Sequence, residues 1–196
     1  ELQKKLSQKN RKVIIIEKKY SSQLDEINLI RKSGKIIVHD ERKNALSIAQ
    51  KNKFDVAILD DGLQQKNIKY DLKIACFNSQ EGLGNGFLIP AGPLRENIYE
   101  MRNYDLAFIN GEKKNNILYK KLQSINKNLK LFEGKYEPTN LKKFNKKINY
   151  LMFCGIGNPQ EFENTLVKYN FKVKQKFLFP DYCKNYWKST CCLYTQ

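Results

Sequence analysis

Residues 54–64 read Phe54-Asp55-Val56-Ala57-Ile58-Leu59-Asp60-Asp61-Gly62-Leu63-Gln64, an apolar run that stops at two adjacent carboxylates and a glycine. A run this short and this apolar reads as a strand buried on both faces, as in a parallel sheet. In such sheets ligands bind at the carboxyl ends of the strands, where Asp60 and Asp61 stand. Hard carboxylate oxygens in that place can hold Mg²⁺ beside the phosphates of ATP. The plainer alternative is a solvated Asp-Asp-Gly turn. The strand running straight into the acids favours a site.

The flanking sequence supports a parallel sheet. Apolar runs at Val13–Ile16, Lys35–Val38, Leu72–Phe77 and Leu106–Ile109 predict further strands. Between them, Glu1–Lys9, a short turn after Ser21 and Ser22, the stretch from an Asp40 cap to Lys51, and Glu96–Arg102 predict helices. Strands alternating with helices in this way imply an α/β fold, a mostly parallel sheet with helices on both faces. Beyond a helix near Ile117–Ile125 and an extended stretch at Leu129–Tyr136, Pro138 and the Lys-rich segment 142–147 read as a linker. A second α/β unit then begins with strand Tyr150–Phe153, the turn Gly155-Ile156-Gly157-Asn158-Pro159, helix Gln160–Lys168 and strand Phe171–Phe179. The expected division is therefore a core over 1–145 and part of a smaller α/β domain over 146–196.

Downstream of the acids lies Gly84-Asn85-Gly86-Phe87-Leu88-Ile89-Pro90-Ala91-Gly92-Pro93-Leu94-Arg95-Glu96. Its glycines and prolines dictate one backbone path, and long ordered loops are usually functional. Asp25 and Glu26 lie between the first two strands, where an acid near a transferred phosphate can accept a hydroxyl proton. Arg42 and Arg95 offer planar, bidentate contacts to anionic groups. Taken singly, each of these charges reads equally well as ordinary surface. His39, the sole histidine, is expected to be structural. Cys76 and Cys154 are expected in the core, and Cys183, Cys191 and Cys192 have no metal-site spacing.

Thirty-six Lys and Arg against twenty Asp and Glu give a formal charge of +16 in 196 residues. Such a balance attracts nucleotides, nucleic acid or an anionic membrane face. The 11 Tyr and 11 Phe are scattered rather than interleaved with basic residues, so a nucleic-acid partner is not expected. No secretory leader pattern is present, no apolar run is long enough to cross a bilayer, and the cysteines lack a disulfide pattern, so a cytosolic location is expected.

The strings Asp60-Asp61-Gly62-Leu63-Gln64 and Pro90-Ala91-Gly92-Pro93-Leu94-Arg95-Glu96, with Gly84-Asn85-Gly86 before the latter, closely resemble the tetraacyldisaccharide 4'-kinase family of lipid A biosynthesis. Asp25-Glu26, Arg42 and Gly155-Ile156-Gly157-Asn158-Pro159 extend the resemblance in order to about Asp181. The resemblance implies a P-loop-NTPase-like kinase core and a smaller C-terminal domain. ATP and Mg²⁺ are the implied cofactors. The implied substrate is a tetraacylated glucosamine disaccharide 1-phosphate at the cytoplasmic face of an anionic inner membrane, with peripheral attachment of the protein. It further implies Asp25 as catalytic base, Asp60 and Asp61 as metal and phosphate acids, and Gln64 beside the nucleotide. Arg42, Asn85 and Arg95 are implied on the substrate side, with Asp61, Arg95 and Glu96 in catalysis.

Two departures accompany these matches. No Gly-x-x-x-x-Gly-Lys-Ser/Thr loop occurs in the sequence, which would place it upstream of Glu1. Where the family has Phe-Pro-Asp-His, this chain has Phe179-Pro180-Asp181-Tyr182. The expectation is an inactive fragment. The rival from another class is a non-catalytic basic α/β module that binds nucleotide, nucleic acid or an anionic membrane.

Overall fold

A computed structural model describes residues 2–19, 24–156, 158–179 and 192–195. The chain separates into two compact units, one formed by Glu1–Ile58 with Thr139–Gln196, the other by Leu59–Pro138. Compactness thus divides the chain just after Ile58 and again at Pro138.

In the first unit, α1 (Leu2–Gln8), β1 (Val13–Lys18), α2 (Leu24–Ser33), β2 (Ile36–His39), α3 (Arg42–Lys51) and β3 (Val56–Leu59) alternate as the apolar runs dictate. Their strands pair in the order β2-β1-β3, with β1 and β2 parallel and Ile15 opposite Ile36. Val13, Ile14 and Ile16 of β1 are buried, as a central strand requires. Helix α3 buries Arg42, Ala45 and Ala49, which share one face at helical spacing.

A glutamine fastens this layer. Gln3 is buried on α1, and its Nε2 donates to the carbonyl of Val13 at 3.2 Å and of Lys35 at 2.7 Å. One amide thus closes backbone acceptors at the entry of β1 and just before β2. Gly34 makes room for it, since a Cβ at Gly34 would collide with the Gln3 side chain. The expected Asp40 cap is corrected: Glu41 is the N-cap residue of α3, and its side chain makes no capping bond. Its own N–H is instead taken by His39 Nδ1 at 3.0 Å, which gives the histidine the structural role expected of it.

Also in this unit, β7 (Asn149–Cys154), α5 (Pro159–Lys168), β8 (Lys172–Leu178) and β9 (Cys192–Thr195) form a sheet in the order β8-β7-β9. Strands β7 and β8 are parallel; β9 runs antiparallel to β7 and has no counterpart among the expected strands. Asn158 caps α5 by accepting from the Glu161 N–H at 3.3 Å. Phe144, Tyr150 and Phe171 meet edge to face with centroids 5.8–6.1 Å apart, the favoured aromatic arrangement. Cys154 is fully buried as expected, but it carries a disulfide rather than a free thiol.

The second unit holds β4 (Ile74–Asn78), β5 (Leu106–Asn110), α4 (Asn116–Ile125) and β6 (Lys130–Gly134), with all strand pairs parallel in the order β4-β5-β6. Met101, Ala107, Ile109, Leu118, Leu122 and Leu129 make its core. The helix expected at Glu96–Arg102 is instead a 3₁₀ turn over Ile98–Asn103, capped by Asn97. Asn126 explains the turn's ending, because its amide donates to the carbonyls of Met101 at 3.0 Å and Tyr104 at 3.1 Å. Cys76, expected in the core, is exposed and free on β4.

Gln3→Leu keeps the volume but removes the amide that donates to the buried Val13 carbonyl and, beside the Ile15 N–H, to that of Lys35. We expect about 1–3 kcal/mol of destabilisation in urea unfolding, with Lys4→Gln on the exposed side of α1 leaving the midpoint unchanged.

Candidate active site

The chain passes from β3 straight into Asp60 and Asp61. Asp61 adopts φ of +51°, a left-handed conformation that aspartate tolerates better than branched residues do. Gly62 follows because the turn is tight: a Cβ there would lie 2.8 Å from the Cβ of Leu59. Tyr70 closes the turn, its hydroxyl donating to the Gly62 carbonyl at 2.5 Å.

Arg95 Nη1 forms an ion pair and hydrogen bond with Asp61 Oδ2, joining the acid turn to the end of the proline-bounded loop. The two side chains are 58% and 49% exposed. An ion pair that open contributes only about 0–1 kcal/mol to stability. Its significance is positional, since both partners remain accessible to a ligand that competes for them.

The loop before Arg95 is braced by one amide. Asn85 Nδ2 donates to the Ala91 carbonyl at 2.7 Å, and its Oδ1 accepts from the Phe87 N–H at 3.1 Å. Backbone pairs Ile89 N–H to Leu94 carbonyl at 2.8 Å, Leu94 N–H to Phe87 carbonyl at 3.1 Å and Gly92 N–H to Leu88 carbonyl at 3.0 Å close the fold-back. Gly92 is required here, because a Cβ would collide with Asn85 Oδ1 and the Phe87 carbonyl. Gly84, at φ of +56°, sits so close to Pro93 that a Cβ would come within 2.6 Å of its Cγ. The Ile89–Pro90 peptide is cis. Asn85, expected on the substrate side, has both ends of its amide committed to this bracing.

Glu96 accepts a hydrogen bond from the Tyr104 hydroxyl. Burial, then the bond to Glu96 and its charge, push the Tyr104 phenol well above its ordinary range, so it stays a donor at all physiological pH. Tyr70 acts on Tyr104 electrostatically as well. Neither tyrosine is among the residues expected from the sequence, where a lone Tyr after a turn carries no signal. Desolvation and then the charge of Asp60 raise the Cys76 thiol, which fits a bystander rather than a nucleophile.

Of the expected residues, Asp61 and Arg95 meet directly, Glu96 is held by Tyr104, Asn85 braces the loop, Asp60 lies within electrostatic reach of Cys76, and Gln64 is exposed on the turn after Gly62. Asp25 belongs to the first turn of α2, and its side chain lies outside the described residues. Arg42 is buried at the start of α3. Asp181, Tyr182, Cys183, Cys191 and the side chain of Cys192 also fall outside the described residues. Among the described residues no trio of His, Cys, Asp and Glu is grouped to cage a metal. Asp60 and Asp61 are the carboxylates at this strand end, and a cation that takes one or two carboxylates and completes its shell with water and phosphate, as Mg²⁺ does, matches such donors.

Parallel strands, one of them ending in two adjacent acids with an arginine joined to the second, define an α/β protein with a charged turn at a strand's carboxyl end. The sequence model of the tetraacyldisaccharide-1-P 4'-kinases matches residues 5–190, and the chain belongs to that family. It is 41% identical over 178 residues to the tetraacyldisaccharide 4'-kinase of Pelagibacter ubique (strain HTCC1062), covering 90% of this chain and 57% of that protein. The Rickettsia canadensis (strain McKiel) enzyme of the same name is 33% identical over 198 residues, covering 92% of this chain and 59% of its own. The chain thus spans under two thirds of the length of these relatives. A crystal structure of LpxK from Aquifex aeolicus in complex with ATP superposes with a TM-score of 0.59 at 22% identity, covering 92% of this chain and 66% of that one, and shows the α/β fold.

Asn85 and Arg95 should behave oppositely in unfolding experiments. Asn85→Ala removes two bonds that hold the loop and is expected to cost about 1–3 kcal/mol. Arg95→Gln removes only the exposed pair and is expected to stay within about 1 kcal/mol of the parent.

Proposed function

We propose that this chain forms part of an enzyme that moves the γ-phosphoryl group of ATP to the 4'-hydroxyl of a tetraacylated glucosamine disaccharide 1-phosphate. The observation that carries the reading is the Asp61–Arg95 pair in a chain of this kinase family. An acid and an arginine held together while still exposed form a charge switch: a cation can claim the acid and a phosphate the arginine. Residues 1–145 would supply the kinase core and 146–196 part of the smaller domain.

In this reading Asp60 and Asp61 would hold Mg²⁺, which would supply neutralisation of the negative charge on the phosphates. Asp25 accepts the proton of the 4'-hydroxyl as its oxygen bonds to the γ-phosphorus. The bond from that phosphorus to the bridging oxygen breaks, and ADP leaves. Arg95, freed from Asp61, orients an anionic group by bidentate contact, while Arg42, buried at the start of α3, is assigned to the substrate side. Glu96 is oriented by the Tyr104 hydroxyl, which donates to its carboxylate. Gln64 lies on the nucleotide side, and Asn85 serves the substrate indirectly by holding the loop in shape.

Among the described residues no helix is long and apolar enough to cross a membrane. An acylated substrate nevertheless resides in a bilayer. The formal charge of +16 favours peripheral attachment to the anionic cytoplasmic face of the inner membrane.

The test is phosphate transfer from ATP to the acylated disaccharide by the full-length polypeptide that carries this chain. Asp25→Ala, Asp60→Ala and Asp61→Ala are each expected to lower kcat by about 10²–10⁴-fold. Rates equal to the parent in all three variants would remove the proposal.

A further inference from the structure

We infer that the loop tip Phe87-Leu88-Ile89 is a lipid-inserting element, which enters the acyl region of an anionic bilayer and sets the depth at which Arg95 and Glu96 work. The inference rests on the reading above for its lipid substrate, but its observations are separate. The three side chains are 62%, 45% and 60% exposed, consecutive, and apolar. They crown a stretch from Gly82 to Leu94 that contains no charged residue, in a chain of which 29% is charged. A tip destined for water would have no reason to exclude charge over such a length.

The backbone gives the second argument, and it favours lipid over a protein partner. A segment entering hydrocarbon must satisfy its peptide groups internally, because nothing there can hydrogen-bond to them. The tip does so largely by itself. Phe87 donates its N–H to Asn85 Oδ1 and accepts from Leu94, Leu88 accepts from Gly92, Ile89 donates to Leu94, and residue 90 is a proline with no N–H. A surface that bound a protein strand would need the opposite, namely free donors and acceptors along an edge.

The chemistry on either side fits the same occupant. Arg95 follows the uncharged stretch directly, where a cation meets headgroup phosphates once the apolar residues are immersed. The loop also folds back on itself through the Leu88–Leu94 bridge, so the tip and Arg95 are fixed to one another rather than strung on a flexible arm. The formal charge of +16 supplies long-range attraction to an anionic surface, and the tip supplies short-range apolar anchorage.

The experiment uses the full-length polypeptide with Phe87→Trp, its emission compared with that of the unsubstituted protein. The probes are phosphatidylglycerol–phosphatidylcholine vesicles, with and without bromine on the acyl chains. Expected are a vesicle-dependent blue shift of the added tryptophan and quenching by the brominated chains. In addition, Phe87→Ser combined with Ile89→Ser should lower vesicle partitioning by about tenfold. Circular dichroism and the unfolding midpoint of the double variant should match the parent. Vesicle binding without quenching at position 87 would overturn the inference and leave the kinase reading intact. Emission already shifted and insensitive to vesicles would overturn it too, by showing that the protein covers its own tip. Quenching in a protein that transfers no phosphate would support the inference and defeat the kinase reading instead.

Discussion

Between Gly84 and Leu94 the chain has to turn back on itself within a few residues without leaving peptide groups unmatched, and the amide of Asn85 makes that possible. It donates across the loop to Ala91 and accepts from Phe87, while Gly92 and Gly84 leave space where a Cβ would intrude. Arg95 is the first residue after this closed path, and its guanidinium meets Asp61. The ion pair is therefore a consequence of the loop's geometry rather than its cause. An exposed pair worth about 0–1 kcal/mol could not by itself order a loop of this length against its conformational entropy.

The polar groups around the acids divide by exposure. Asp61 and Arg95 are open to solvent. Tyr104 and Tyr70 are half-buried and tie Glu96 and the Gly62 carbonyl to the packed layer beneath. Asn126 extends that tie, holding the carbonyls of Met101 and Tyr104 from the far end of α4. The exposed charges thus sit beside hydrogen bonds donated by tyrosine hydroxyls and an asparagine amide.

The elements legible in the sequence are those with a local cause. The bounds of β3 are those of its apolar run, and α3 and β7 follow from spacing that any buried face would show. The paired acids and the Pro/Gly loop are legible for the same reason, since turn chemistry is local. What escapes depends on partners far along the chain. Strand β9 exists because Cys192 lies opposite Phe153, and the 3₁₀ turn stops where Asn126 takes its carbonyls. The ten-residue length of α2 is hidden because Asp25 and Glu26 suggest a loop. Asn85 reads as a ligand contact because an exposed asparagine between glycines gives no hint that both ends of its amide are spent on the backbone.

The left-handed backbone at Asp61 separates shape from charge at that position. Asparagine and glycine adopt φ of this sign readily, whereas valine, isoleucine and threonine resist it. A lineage that abandoned catalysis could therefore drift to asparagine or glycine at this point with little cost, keeping its architecture as a silent relic. Drift toward a branched residue would unmake the turn itself. The side chain that a descendant carries in this place would tell a retired enzyme from a collapsing one.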